Sequence, residues 1–264
     1  VLQIEKSAEG LTFRDPVGAR NFTFGCPSRV VAFTHLLTPR RLFGPTVEPG
    51  ATWTDRAAVR LGCLGWRTDD DDTLVAQTVV EASKNALVTP AGRFEDCVCI
   101  STEIAPEHGG RAHDSATRSY CGSRTMWFAP GVGLVKLRHR SQDDRAWTVW
   151  LAGFGGGSDD GLFPLEPGRW WRYRWAGDAM RRDFFEDLTR VVDAGDGLIT
   201  LSSAAWAVQP SEEESARRLL EEAEIERQSK SPTGEAVAME ALLASEDRGT
   251  KAERKTWLER LSAL

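Results

Sequence analysis

At 264 residues and 41% hydrophobic content, the chain is long enough to bury a core without disulfide support, as one large domain or two smaller ones. Its 39 acidic residues outnumber 33 basic ones, which argues against nucleic acid or another polyanion as the main partner. No apolar run approaches the roughly 20 residues that span a bilayer, so no transmembrane segment is expected.

The chain opens at Val1 without a charged-then-apolar leader, which leaves its compartment open. Short β-like runs follow, at Leu11-Thr12-Phe13, Asn21 to Phe24 and Val30 to Phe33, broken by turn residues such as Asp15-Pro16 and Cys26-Pro27. Then comes Leu42-Phe43, and after it Glu48-Pro49-Gly50-Ala51-Thr52-Trp53. Pro-Gly is a turn signal because proline presets φ at one corner and glycine tolerates positive φ at the next, so a strand is expected from Thr52 or Trp53.

The same phrase returns as Leu162-Phe163 with Glu166-Pro167-Gly168-Arg169-Trp170-Trp171. Self-similarity of this kind suggests a duplicated unit, and strand, turn, strand follows each copy. In the first these are Ala58 to Leu64, the Asp69 to Asp72 run, and Leu74 to Glu81. In the second they are Phe184 to Val192, a turn at Asp193 to Gly197, and Leu198 to Val208. The first copy continues through Ala86 to Thr89, turns at Pro90-Ala91-Gly92, and returns as Phe94 to Thr102. A polar loop, Ala105 to Ser119, leads to Thr125 to Phe128, an Ala-Pro-Gly turn, Val132 to Arg138, and a last strand from Ala146 to Phe154. Gly153 to Ser158 reads as a flexible linker between copies, since no Gly-Lys-Ser/Thr follows to make a phosphate loop.

From Ser211 the pattern turns helical. Ser211-x-x-Glu214 and Thr250-x-x-Glu253 are capping boxes, and Leu219, Leu220, Leu242, Leu243, Trp257, Leu258 and Leu261 recur at helical spacing. Three short amphipathic helices are expected, too short to persist undocked. The expected organisation is therefore a first β-module with preceding strands at 1–157, a partial second module at 158–210, and a helical tail at 211–264. The expected fold is mainly β: antiparallel curved sheets, or a sandwich, from one full and one partial copy of the module.

Pro49-Gly50-x-x-Trp53, Pro90-Ala91-Gly92-x-Phe94-x-x-Cys97 and Ala129-Pro130-Gly131-Val132-Gly133-Leu134-Val135-Lys136 together resemble a widespread group of poorly characterised bacterial β-domains. These are often found in secreted proteins or lipoproteins. The resemblance covers about residues 42 to 140, more weakly 162 to 208, and implies a secreted or cell-envelope location; with no leader before Val1 the location would be cytoplasmic. It lends no catalytic residue.

The chemistry-bearing residues are sparse. His108 and His113, with Asp114 and Cys121, can supply metal ligands in type but not in a recognisable spacing, and a solvated loop explains them better. Cys121 lacks a visible activating partner for nucleophilic work. Asp69 to Asp72 lacks the glycine and distal glutamate of a calcium loop and reads as a charged hairpin tip. The five cysteines, at 26, 63, 97, 99 and 121, are an odd set read mostly as buried thiols. No catalytic residue, metal set or cofactor is expected.

Residues Arg169 to Trp175 carry the one ligand-binding candidate. With period two, Trp171, Tyr173 and Trp175 share one face, while Trp170, Arg172 and Arg174 share the other. The second face can stack on a sugar or hold an anion, or the arginines can simply pair across strands with Asp183, Glu186 or Asp187. The function expected is a non-catalytic binding or scaffold module for a partner protein or an apolar or glycan ligand. The alternative is a hydrolytic enzyme using the His/Cys loop at 105–121.

Overall fold

The computed structural model describes residues 2–14, 33–36, 40–63, 66–67, 72–81, 85–109, 118, 121–144, 146–157, 161–177, 184–208, 217–218, 220–221 and 223–225. The strands are β1 (Leu2–Ser7), β2 (Gly10–Arg14), β3 (Phe33–Leu36), β4 (Arg40–Phe43), β5 (Thr52–Cys63), β6 (Trp66–Arg67), β7 (Asp72–Val80) and β8 (Asn85–Thr89). They continue as β9 (Gly92–Pro106), β10 (Gly122–Ala129), β11 (Gly133–Ser141), β12 (Ala146–Gly155), β13 (Trp170–Gly177), β14 (Phe184–Gly195) and β15 (Leu198–Val208). The fold is mainly β, as the alternating runs predict.

All pairings are antiparallel, and the hydrogen-bonded order is β3-β5-β7-β9-β10-β11-β12-β13-β14-β15-β1-β2-β4, with β6 on β5 and β8 on β9. The two ends of this sheet come back together. β3 pairs with the second half of β5 and β4 with β2, and β4 also lies beside the first half of β5, where Arg41 Nε is 3.7 Å from Asp55 Oδ1. The sheet is thereby nearly closed into a barrel, which leaves little unpaired edge to recruit other strands. The strands assigned to the two copies are not separate layers, because β12 and β13 pair from Trp147 opposite Gly177 to Gly155 opposite Trp170.

Period-two alternation sets the interior. Leu74, Ala76, Thr78 and Val80 of β7 are buried, as are Trp171, Tyr173 and Trp175 of β13, while the residues that alternate with them are less so. At one end the core centres on Phe128, met edge-on by Phe43 at 4.7 Å and by Phe163 at 5.9 Å between ring centroids. Phe163 also stacks on Trp171 at 5.4 Å. The Ala129-Pro130-Gly131 turn closes by Val132 N–H donating to Ala129 O at 3.1 Å, with Gly131 at φ +70° and Gly133 at +98°. The next carbonyls are taken up by side chains of β13, two places along the sheet from β11: Trp171 Nε1 donates to Val132 O at 2.6 Å and the Tyr173 hydroxyl to Leu134 O at 3.1 Å.

The two Glu-Pro-Gly-x-x-Trp segments build the same turn. Gly50 and Gly168 stand at φ +85° and +87°, and Ala51 N–H to Glu48 O (3.0 Å) corresponds to Arg169 N–H to Glu166 O (3.1 Å). Gly50 donates to Val80 O, and Val80 donates back to Ala51 O; Gly168 and Arg169 make the same exchange with Val191. Trp53 then faces Thr78 in register, and Trp171 faces Thr189.

Of the tail, residues 217–218, 220–221 and 223–225 are described, and they are helical. Arg174 Nη1 lies 3.1 Å from Glu221 Oε2 and Arg218 Nη1 3.3 Å from Glu186 Oε1, which sets this segment against the outer face of β13 and β14; Ala223 and Ile225 are buried. The Thr250 capping box, Trp257 and the remaining tail leucines lie outside the described residues, as do Asn21 to Phe24 and Asp69 to Asp71. Among the described residues no helix is long and apolar enough to cross a membrane.

Candidate functional site

Two hairpin tips and one crossing segment surround a cavity at the same end of the barrel as Phe128. The β1–β2 tip is held by Glu9 N–H donating to Ser7 Oγ at 3.2 Å, and Gly10, at φ +116°, is pressed so close to β4 that a Cβ there would collide with the Phe43 carbonyl. The β14–β15 tip docks beside it through Lys6 N–H donating to Gly197 O at 2.8 Å. Residues 161–167 cross between them, tied at one end by Gly131 N–H to Gly161 O (2.9 Å). The cavity has a volume of about 590 Å³ and is broadly open to solvent. Its walls are mainly apolar, with Leu11, Phe43, Leu162, Phe163, Leu165 and Ile199 prominent, and Lys6 and Glu166 are the charged side chains on it.

Deeper in the barrel the interior turns polar. Neighbouring ladder positions carry Trp53, Thr78, Thr102, Arg124, His139 and Trp147 in a row across β5, β7, β9, β10, β11 and β12. Thr78 and Thr102 share a hydrogen bond of 3.1 Å, His139 lies against Trp147 at 4.9 Å, and Trp147 against Trp175 at 5.3 Å. The row ends at Asp187, which accepts the Trp175 indole N–H at 2.7 Å. Burial pushes the Asp187 carboxyl up to about 7; the Trp175 hydrogen bond opposes this, and so does the nearby Thr189 hydroxyl, without closing a hydrogen bond by distance and angle. Tyr173, directly opposite Asp187, is raised well above its ordinary value, first by burial and then by that carboxylate. Among the described residues, Trp147 Nε1, Asp187 Oδ1 and Thr189 Oγ1 are buried with no hydrogen-bond partner.

The sequence-predicted residues divide between the two faces of β13. Trp171, Tyr173 and Trp175 point into the core, and Trp170, Arg172 and Arg174 lie on the other face. Trp170 lies across Gly153 and Gly155, whose missing side chains make room for its ring, so the first three residues of the stretch read as a flexible linker, Gly153 to Gly155, instead form the end of β12; Gly156 and Gly157 follow the strand, and Ser158 lies outside the described residues. Arg174 pairs with Glu186 at 3.5 Å and with Glu221, while Arg172 is exposed and reaches Ala152 O at 3.4 Å. Of the expected acidic partners, Glu186 opposes Arg174, Asp183 lies outside the described residues, and Asp187 is inside the barrel because it opposes Tyr173. Arg169 is buried, donating to Gly156 O at 2.7 Å and to Gly131 O.

The structure puts the members of the His/Cys loop in different settings. His108 stands in an exposed turn after β9, Cys121 is fully buried before β10, and His113 lies outside the described residues. Cys97 and Cys99 are free thiols pushed up to about 12, chiefly by burial. No group of three metal-ligating side chains occurs among the described residues. No family model matches the chain, and neither a curated protein nor a solved structure is found similar to it.

No motif in the sequence marks the cavity residues as a site. The signal that pointed toward them is the Leu-Phe pair before each Glu-Pro-Gly turn, since Phe43, Leu162 and Phe163 all line the cavity. Nothing local marks Lys6, Leu11 or Ile199 as their neighbours.

Proposed function

We propose that the protein is a non-catalytic binding module that takes an apolar ligand into the cavity at the hairpin end of the barrel. The observation that carries this reading is the cavity itself: about 590 Å³, apolar-walled, broadly open to solvent and framed by hydrogen-bonded strand ends. That volume falls in the range of small-molecule sites, and a wall of this composition gains from excluding water rather than from directional bonds. The matched turns at Gly50 and Gly168 support reading the barrel as two copies of one β-module, and the docked residues around Glu221 support a helical tail over its outer face. The three motifs of the sequence support grouping it with the bacterial envelope-type β-domains they resemble.

The test is titration with the neutral fluorophore N-phenyl-1-naphthylamine. Gly195 lines the cavity, is outside the left-handed region, and a Cβ there would meet nothing within 4 Å, so Gly195→Trp adds a ring at the cavity without straining the backbone. Saturable binding by the wild type that is lost in Gly195→Trp, with an unchanged melting temperature, is the expected result. Non-saturable binding, or binding indifferent to Gly195→Trp, overturns the proposal.

A further inference from the structure

Taking that cavity as a ligand site, we infer that its ligand is an amphiphile with an anionic head, an alkyl carboxylate in chemical class, whose head is held by Lys6. The two charged side chains on the wall are not equivalent. Glu166 is already engaged, and it turns its carboxylate onto the backbone of Gly157, so close that a Cβ at Gly157 would sit 2.5 Å from Oε2. Lys6 is exposed, and its ammonium has no acidic partner among the described residues. Its backbone is fixed on both sides: it pairs with Leu11 across the hairpin and donates to Gly197 O at 2.8 Å. A side chain with no ion pair, displayed from a pinned backbone at an apolar opening, is arranged to meet a charge brought in from outside.

Alternation along β1 puts Lys6 on the same face as the fully buried Ile4, so its side chain leaves on the side that lines the cavity. An ammonium at the rim of an apolar cavity matches a carboxylate head, with the alkyl chain running over Leu11, Phe43, Phe163 and Ile199. A cationic head would meet Lys6 as a like charge, and a neutral alcohol would keep the apolar term alone. Each methylene that fits should tighten binding about fourfold until the cavity is filled.

The experiment is displacement of bound N-phenyl-1-naphthylamine by dodecanoate, dodecanol and dodecyltrimethylammonium, all below their aggregation concentrations, from the wild type, Lys6→Gln and Lys6→Glu. Dodecanoate should displace the fluorophore from the wild type at about one-tenth the concentration of dodecanol, as one charge-assisted hydrogen bond predicts. Lys6→Gln should erase that difference by weakening dodecanoate alone, and Lys6→Glu should reverse the preference toward the cation. If the fluorophore binds but dodecanoate and dodecanol compete equally, or Lys6→Gln changes neither, the head-group assignment is wrong while the cavity reading stands. If the fluorophore does not bind at all, the cavity reading fails and this inference falls with it.

Discussion

Inside the barrel, Trp175 donates its indole N–H to Asp187 at 2.7 Å, so one of the few carboxyl groups in the core is held by a neutral donor instead of a cation. With its folded value pushed up to about 7, Asp187 keeps its proton across a range in which the unfolded chain has released it. Stability contributed at this site is therefore highest below about pH 4, falls as pH rises through about 4 to 7, and is level above that, a total of roughly 4 kcal/mol. Asp187→Asn keeps an acceptor for Trp175 and cannot ionise. Its urea midpoint relative to wild type should rise between pH 4.5 and pH 8; a difference that stays constant with pH means that Asp187 does not titrate in this window.

Gly133 and Gly168 both hold positive φ, but their surroundings differ. A Cβ at Gly133 would lie 2.8 Å from the Phe163 ring and 3.3 Å from Trp171 Nε1, whereas one at Gly168 would meet nothing within 4 Å. Gly168→Ala should cost about 1 kcal/mol from backbone strain alone. Gly133→Ala should cost about 2 kcal/mol or more, since the core must also shift. Equal losses in chemical denaturation would show that Phe163 yields freely.

The twin turns make a second comparison. Gly50 and Gly168 share φ, turn hydrogen bond and open space, so the same substitutions should have the same effects at both. Asparagine should cost less than alanine at each, because its short polar side chain tolerates the left-handed region. Losses that differ between the sites by more than about 0.5 kcal/mol would show that the local match does not extend to the energetics.

On the outer face, Glu186 receives both Arg218 at 3.3 Å and Arg174 at 3.5 Å, and it and Arg218 are largely buried. Removing a shared carboxylate from so little water should cost more than a surface pair would, about 2 to 3 kcal/mol for Glu186→Ala. The double variant Glu186→Leu/Arg218→Met should recover most of this. Amide hydrogen exchange at 217–225 should quicken in Glu186→Ala; protection left intact there would mean that other contacts hold the segment.

The sequence by itself determined most of the strands and the two faces of β13, though not β1 or the end of β12. Period-two alternation placed Trp171, Tyr173 and Trp175 on one side of β13 and Trp170, Arg172 and Arg174 on the other, and Pro-Gly placed the turns, because both signals depend on bonds within a few residues. Only the tertiary structure decided which positions on different strands oppose each other. Asp187 is a plausible partner for an outer arginine until the register puts it opposite Tyr173, one residue from the alternative that Glu186 occupies. The cavity likewise joins residues near positions 6, 43, 163 and 198, which meet only because β4 returns beside β2 and the sheet curls toward closure. Register and closure depend on hydrogen bonds between segments far apart in the chain, and no local pattern carries that information.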